Sequence, residues 1–191
     1  MFYEPKNGHG LPYNPFKAIV APRPIGWIST RGAAGDNLAP YSFFNALTDA
    51  PPQVMFAGAL ADSIHNARQS GVFAVNMVAE AAMAAMNATS KALPLGQDEF
   101  GFAGVAKAEC HSIDCPRVAD APATLECRMS HVLQLQGEDN WMVIGEVVGV
   151  HLRDDCLTDG MLDIRRYHPV ARMGYHDYAI VRDVVELKRP K

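Results

Sequence analysis

The segment from residue 23 to residue 45, RPIGWISTRGAAGDNLAPYSFFN, holds the densest set of side chains that could bind a ligand. Hydroxyl, amide and aromatic side chains occur together there, on two short stretches that flank a glycine-rich turn. A flat, partly apolar ligand with hydrogen-bonding edges needs such a mixture, and a flavin ring is a ligand of this kind. The composition also fits an ordinary hairpin with a partly buried Trp and Phe pair, so the residues alone leave both interpretations open.

A second candidate feature is a short helix predicted from about residue 64 to residue 70. Asp62 and Ser63 can cap this helix, and Gly71 is placed to end it. The amino terminus of a helix presents unpaired N–H groups and a partial positive charge, so a phosphate could bind there with help from Ser63. Simple capping explains the same residues, and the Asp62 carboxylate by itself would repel a dianion.

Several catalytic motifs are absent from the sequence. It contains no G-x-G-x-x-G after a strand, no G-x-x-x-x-G-K-[ST], no G-x-S-x-G and no H-E-x-x-H. The local Cys/His group, Cys110-His111-Ser112-Ile113-Asp114-Cys115, would need two more ligands to hold a metal ion. We therefore predict no metal site and identify no catalytic acid, base or nucleophile from the motifs.

Composition limits the class of protein. The chain has 191 residues with 49% apolar and 20% charged residues, which is typical of one globular domain spanning residues 1–191. The net charge of -4 and the lack of a dense basic stretch argue against nucleic-acid binding. No window resembles a membrane span or a secretion signal, and the four cysteines include no C-x-x-C pair. We expect a cytoplasmic protein with reduced thiols and no membrane contact.

Period-2 patterns predict mostly β-structure. Odd positions from Leu125 to Leu135 are apolar except for His131, which predicts a strand with that set, including His131, facing the core. The turn at residues 137–140 and the following β-branched run make this strand one half of a long hairpin. Shorter strands are predicted at residues 17–21, 25–30, 38–45, 53–60, 72–77, 105–111 and 179–187, and a second helix at residues 78–90. So many strands in one domain favour a closed sheet, because closure removes exposed edges.

Read together, these segments resemble the flavin reductase-like family. The resemblance rests on RPIGWIST, on NLAPYSFFN followed by Pro-Pro, on Asp62-Ser63 with Asn66, on FAVN at residues 73–76, on Asp98-Glu99-Phe100, and on HPVARMGY at residues 168–175. It covers most of residues 15–180. It implies a mainly β fold, a Greek-key split β-barrel with a few short flanking helices. It also implies a homodimer that binds FMN and, in enzymatic members, takes electrons from NADH or NADPH.

The resemblance also implies which residues contact FMN. They are Trp27, Ile28, Ser29, Thr30, Asn37, Ala39, Pro40, Tyr41, Ser42, Phe43, Phe44 and Asn45 along the ring and ribityl chain, Asp62, Ser63 and Asn66 at the phosphate, and His168 near the ring or the nicotinamide. Family members commonly carry Lys or Arg just before the Asp, where this chain has Ala61. A basic residue from another segment could replace it, and the candidates are Arg23, Arg31, Arg68 and Lys91.

The resulting prediction is an FMN-dependent oxidoreductase, in the first instance an NAD(P)H:flavin reductase. Its reduced flavin could serve a partner oxygenase or another acceptor. Two alternatives stay open: a flavoredoxin-like FMN electron carrier without nicotinamide activity, and a barrel of the same fold that binds haem or no cofactor and acts as an interaction domain.

Overall fold

The computed structural model describes residues 1–94 and 96–190, and most of its regular structure is β-strand. In chain order the strands are β1 (Arg23–Pro24), β2 (Gly26–Gly32), β3 (Gly35–Tyr41), β4 (Phe44–Asp49), β5 (Pro52–Gly58), β6 (Val72–Met77), β7 (Lys107–Glu109), β8 (Pro116–Val118), β9 (Ala123–Gln134), β10 (Trp141–Leu152), β11 (Leu157–Thr158), β12 (Met161–Leu162), β13 (Val170–Arg172) and β14 (Tyr178–Ile180). The helices are α1 (Phe16–Ile19), α2 (Asp62–Ser70), α3 (Met83–Ala88) and α4 (Glu99–Ala103), with 3-10 turns at Pro5–Asn7, Glu80–Ala82, Asp154–Cys156 and Ile164–Arg166.

Seven strands form one antiparallel sheet in the order β3-β2-β6-β9-β10-β5-β4. The first and last strands of this order are neighbours in sequence, joined by Ser42 and Phe43. Tyr41 at the end of β3 packs edge-on against Phe56 of β5, with ring centroids 4.9 Å apart. The sheet therefore curls until its two ends meet, which gives the mainly β barrel that the sequence predicts, with short helices around it.

Two hydrophobic clusters hold the barrel and its helices. One lies inside the sheet and contains, among others, the fully buried side chains of Ile28, Phe56 and Phe73, together with Ile64 from α2. The other contains Trp27, Leu38, Val78, Met86, Phe100 and Val118 and packs α3 and α4 against the outer side of β2 and β3. The strand pair β2–β3 is thus fixed from both sides, with α2 packed against both strands and α3 against β3.

The hairpin of β9 and β10 forms as predicted, but a β-bulge changes its inward face. His131 pairs with Ile144 and Met129 pairs with Gly145, so Ser130 is an extra residue in β9. Because one inserted residue moves every later side chain to the opposite face, Val132 packs on the core while His131 and Leu133 are exposed. The prediction that His131 is a core histidine is wrong; its Nδ1 lies 3.1 Å from Ser130 Oγ.

Several shorter elements differ from their predictions for local reasons. Residues 17–21 were predicted as a strand, but Pro15 starts helix α1 there. The predicted strand 38–45 divides into β3 and β4, because the chain turns at Ser42 and Phe43 to pass from one end of the sheet to the other. The predicted strands 105–111 and 179–187 are shorter in the structure, where they correspond to β7 and β14. The predicted helix 78–90 is a 3-10 turn followed by α3. The sequence does not predict α4. Among the described residues, no helix has the length and apolarity that a bilayer crossing requires.

Helix α2 confirms its predicted end but not its predicted caps. Gly71 follows the last turn in the left-handed conformation at φ 75°, a conformation that glycine adopts without strain. At the other end Ala61 occupies the N-cap position, and Asp62 and Ser63 are the first residues of the helix. The Ser63 hydroxyl does not cap; it donates a hydrogen bond to Asn37 Oδ1 at 2.7 Å. This bond ties the start of α2 to β3.

Candidate functional site

Two adjoining cavities lie beside β3, along residues 37–42. The first, which we call the β3–α2 cavity, has a volume of about 340 Å³. The second, which we call the cationic cavity, has a volume of about 370 Å³. Both are lined by Pro40 and Ser90, so they meet at these two residues. The β3–α2 cavity is lined by Asn37, Ala39, Pro40, Tyr41, Ala61, Asp62, Ser63, Thr89, Ser90, Lys91, Ala92, Leu93 and Glu99.

A buried hydrogen-bond network fixes the wall of the β3–α2 cavity. Glu99, at the first position of α4, accepts hydrogen bonds from the Leu38 N–H at 3.0 Å and from Asn37 Nδ2 at 3.1 Å. Asn37 in turn accepts from Ser63 Oγ. Burial raises the pKa of the Glu99 carboxyl more than these donors lower it, and the nearby Asp62 charge raises it further. Strand β3, α2 and α4 therefore meet at one rigid polar junction.

The start of α2 supplies hydrogen-bond donors to this cavity. Within the described part of the chain, the backbone N–H groups of Asp62 and Ser63 have no acceptor, whereas those of Ile64 and His65 both bond to Ala61 O. Unpaired N–H groups at a helix amino terminus attract an anion. Asp62 and Glu99 also line the cavity, so it contains carboxyl groups as well as donors that attract an anion.

Four basic residues are candidates to supply the positive charge that Ala61 lacks, and the structure places them in different surroundings. Lys91 lines the β3–α2 cavity, with its Nζ 5.1 Å from the centre of the Phe102 ring. Arg23 lines the cationic cavity instead. Arg31 is held by Asp36, Glu109 and Asp114, and Arg68 lies over the Trp141 ring at 4.7 Å. Lys91 is therefore the candidate that shares a cavity with Ser63.

The cationic cavity lies between β3, the carboxyl end of α3 and the carboxy-terminal segment. Its lining residues are Lys17, Arg23, Ile25, Pro40, Ser42, Met86, Asn87, Ser90, Arg172, Tyr175, His176 and Tyr178. Arg23 is only 6% exposed and donates hydrogen bonds to three backbone carbonyls, those of Lys17, Val20 and Met173. These bonds hold the amino-terminal segment against the carboxy-terminal one, and the cavity forms where the two meet β3.

Seven of the predicted contact residues come together around these two cavities. Asn37, Ala39, Pro40, Tyr41, Asp62 and Ser63 line the β3–α2 cavity, and Ser42 joins Pro40 in the cationic cavity. Phe43 is close by, since Lys17 Nζ lies 5.8 Å from the centre of its ring. Asn66 lies one turn further along α2 and donates from Nδ2 to Thr30 Oγ1 at 3.2 Å.

The other predicted residues lie elsewhere. Ile28, Ser29, Thr30 and Phe44 are buried in the protein. Asn45 is exposed on β4, and its Oδ1 accepts from the Ala46 N–H at 2.9 Å. Strand geometry explains this outcome: side chains alternate between the two faces, so a run of neighbouring residues cannot all face one ligand.

Trp27 and His168 line a third cavity of about 630 Å³ that shares no lining residue with the other two. His168 has a φ of 49° and its Nδ1 lies 3.1 Å from Glu80 Oε2. The Trp27 Nε1–H donates to Thr89 Oγ1 at 2.8 Å, and Thr89 lines the β3–α2 cavity. The structure thus places His168 away from Asn37, Ser42 and Ser63. The described residues contain no cluster of three side chains that could hold a metal ion.

Sequence reasoning missed part of the lining of both cavities. Thr89 and Ser90 follow α3. Arg172 and Tyr178 come from the carboxy-terminal strands β13 and β14, and Tyr175 from the turn between them. Glu99 belongs to the Asp98-Glu99-Phe100 motif, but no spacing in the sequence links residue 99 to residue 38. The available signal was the dense group of Arg, Tyr and His side chains at residues 172–178.

Comparisons with known proteins agree with this architecture. Residues 20–171 match the family model described as "Flavin reductase like domain". An uncharacterized protein of Deinococcus radiodurans is 38% identical over 93% of this chain and 84% of its own length. The structure of nitrilotriacetate monooxygenase component B from Bacillus cereus superposes with a TM-score of 0.91 at 27% identity, covering 98% of each chain. A protein of Shewanella frigidimarina with a split barrel domain superposes with a TM-score of 0.85 over 100% of each chain; at 20% identity it shows the fold alone.

Proposed function

Because the chain belongs to the flavin reductase-like family, we propose that it is an oxidoreductase that binds FMN across the β3–α2 cavity and the cationic cavity and takes electrons from NADH or NADPH. One observation carries the proposal: the two cavities adjoin at Pro40 and Ser90, and Pro40 belongs to the segment whose composition fits a flavin. Family membership supports flavin-related redox chemistry. The use of NADH or NADPH as the electron donor is our more specific proposal.

The residues present fit FMN in size and in chemistry. Cavities of roughly 300–1,000 Å³ are typical of small-molecule sites, and both cavities fall within that range. Pro40, Tyr41, Met86 and Tyr178 offer apolar and aromatic surface for a ring. Hydroxyl and amide side chains offer hydrogen bonds to its edge and to a ribityl chain; they are Ser42, Asn87, Thr89 and Ser90.

The protein's part in the reaction is binding and orientation. When bound, FMN would supply the redox chemistry, as the acceptor of a hydride from a reduced nicotinamide. The free N–H groups of Asp62 and Ser63, with Lys91 beside them, would hold the phosphate end. Ser42, in the adjoining cavity, would bond the polar edge of the ring. The junction of Glu99, Asn37 and Ser63 keeps these groups in place, so little ordering is needed on binding.

The proposal extends to assembly and to an electron acceptor. The resemblance implies a homodimer, and we adopt that state for the working protein. The likeness to a monooxygenase component at 27% identity supports a partner oxygenase that uses the reduced flavin. A flavoredoxin-like carrier is the second candidate, because family membership supports flavin binding equally for both.

The purified protein should take up FMN and lose the absorption of oxidised flavin when mixed anaerobically with NADH or NADPH. Titration followed by absorption spectroscopy measures uptake, and rapid mixing measures reduction. A protein that binds FMN and is bleached by dithionite, but by neither nicotinamide, is the electron carrier instead. A preparation that takes up no FMN contradicts both functions and favours an interaction domain.

Replacing Ser42 with alanine should weaken FMN binding by about 1 kcal/mol, roughly fivefold, because one hydrogen bond to the ring edge is lost. Asn45→Ala is the matched control. Asn45 belongs to the same sequence motif but lies on β4 outside both cavities, with its side chain bonded to its own strand. Fluorescence titration with FMN compares the two variants. Equal affinities for Ser42→Ala and the unsubstituted protein would place the ring away from Ser42.

A further inference from the structure

The cationic cavity has an unusual balance of charge. Lys17, Arg23 and Arg172 line it together with His176, and none of its described lining residues is Asp or Glu. Within the described residues, none of these three cations is paired with a carboxylate. Arg23 bonds only to backbone carbonyls, and Arg172 bonds to Tyr175 O and stacks on the Tyr178 ring at 4.5 Å. Three positive charges therefore converge on one space without a balancing anion.

Arg23 shows that this space favours a negatively charged ligand. Its side chain is buried, yet its Nε has no hydrogen-bond partner among the described residues. Burial, and secondarily the charge of Arg172, lower the pKa of the Arg23 guanidinium. The repulsion between the Arg23 and Arg172 guanidinium groups is unfavourable, and an anion bound in the cavity that both residues line offsets it.

We propose that the cationic cavity is a phosphate-binding site. Several acceptor oxygens are needed to bond the Arg23 and Arg172 guanidinium groups, the Lys17 ammonium group and the Ser42 and Ser90 hydroxyls at the same time. A phosphate group offers these oxygens and up to two negative charges, whereas a carboxylate offers two oxygens and one charge. The cavity volume of about 370 Å³ accommodates a phosphate with part of the molecule that carries it.

The identity of the phosphate-bearing molecule rests on the proposed function. Because the proposed flavin site spans this cavity and the β3–α2 cavity, which meet at Pro40 and Ser90, a phosphate bound here lies at the cationic end of that site. The phosphate belongs to one of two molecules. It is either the pyrophosphate or 2′-phosphate of a nicotinamide nucleotide bound next to the flavin ring, or the phosphate of FMN bound in the reverse of the orientation given above, with its tail towards Arg23 instead of Ser63. The shared chemistry is an organic phosphate, and the two sources predict different losses in variants.

The test compares Lys17→Gln and Arg172→Gln with Arg165→Gln. Lys17 is exposed and its side chain bonds to no described residue, so its loss leaves the fold intact. Arg165 is a surface arginine paired with Asp163 outside the cavity, and it serves as the matched control. Arg23 is left unchanged, because its three bonds to backbone carbonyls are structural.

The first measurement uses inorganic pyrophosphate and calorimetry on the full chain. We expect binding that weakens about tenfold in Lys17→Gln and Arg172→Gln and not in Arg165→Gln. This readout needs neither FMN nor activity. Pyrophosphate that does not bind, or binds all four proteins equally, overturns the proposal even if the protein proves to be a flavin reductase.

The second measurement identifies the source. If the nicotinamide nucleotide supplies the phosphate, the two variants raise the KM for NADH or NADPH about tenfold while the affinity for FMN stays within twofold of the parent. If FMN supplies it, the variants weaken FMN about tenfold and leave riboflavin, which lacks the phosphate, unchanged. Unchanged KM and unchanged FMN affinity in both variants contradict a phosphate site that serves the proposed reaction. Conversely, pyrophosphate binding by a protein that takes up no flavin supports the site and removes the proposed function.

Discussion

Replacement of Glu126 by alanine should reduce the free energy of unfolding by about 3–5 kcal/mol, because it removes a buried carboxylate that accepts three hydrogen bonds. Glu126 lies on the outer face of β9 and is 1% exposed. Its carboxylate accepts hydrogen bonds from the backbone N–H groups of His111 and Ser112 at 2.7 and 2.6 Å, and lies 2.5 Å from His151 Nε2. The loop after β7 is thereby fastened to the sheet.

The effect of this substitution should depend on pH. Burial acts to raise the pKa of Glu126, but the hydrogen bonds from His111, His151 and Ser112 outweigh it and hold the pKa below its ordinary value of 4.5. The unfolded chain therefore takes up a proton at higher pH than the folded one. The stabilisation is complete at neutral pH, begins to fall as the pH drops below 4.5, and is lost once the pH is below the lower folded-state pKa.

Urea unfolding at about pH 7 and again near pH 3.5 measures both parts of this prediction. The difference in stability between Glu126→Ala and the parent should shrink at the lower pH. Glu138→Ala is the control, since Glu138 lies in the exposed turn between β9 and β10. A difference that stays constant between the two pH values would show that Glu126 stabilises by packing and not as a charged acceptor.

Glu126 also shows how far strand alternation predicts this fold. Alternation places β6 at its observed bounds and β9 and β10 within two residues, because these strands have one apolar face over many residues. It assigns Glu126 to the outer face correctly, but it carries no information about what covers that face. The bulge at Ser130 is equally invisible, because an inserted residue shifts the period without changing composition.

The candidate site is predictable from sequence only where its residues are close along the chain. The stretch from Asn37 to Ser42 could be identified from its composition, and Ser63 from its place at a helix start. Lys17 and Arg172 lie 155 positions apart in the sequence, and both line the cationic cavity. Arg23 joins the two segments through its hydrogen bonds to Lys17 O and Met173 O, which no local pattern encodes. The charge of the cationic cavity is therefore a property of the tertiary structure.

The junction between the two cavities gives the strongest test of where the flavin lies. Ser90 lines both cavities and is itself exposed, with its hydroxyl donating to Asn87 O at 2.7 Å. A ligand longer than one cavity must pass beside Ser90 and Pro40. A bulky side chain at position 90 would occupy that passage without entering the core, so it separates a loss of binding from a loss of folding.

Ser90→Trp should therefore weaken FMN binding by about a hundredfold, or close to 3 kcal/mol, because the indole and the cofactor cannot share the junction. Gln69→Trp adds the same side chain at an exposed position on α2, away from both cavities, and should bind FMN as the parent does. Equilibrium titration with FMN gives the affinities, and the thermal midpoints of the two variants check that both are folded. Retention of the parental affinity by a folded Ser90→Trp would mean that FMN is confined to one side of the junction, and the groove proposed for it would have to be abandoned.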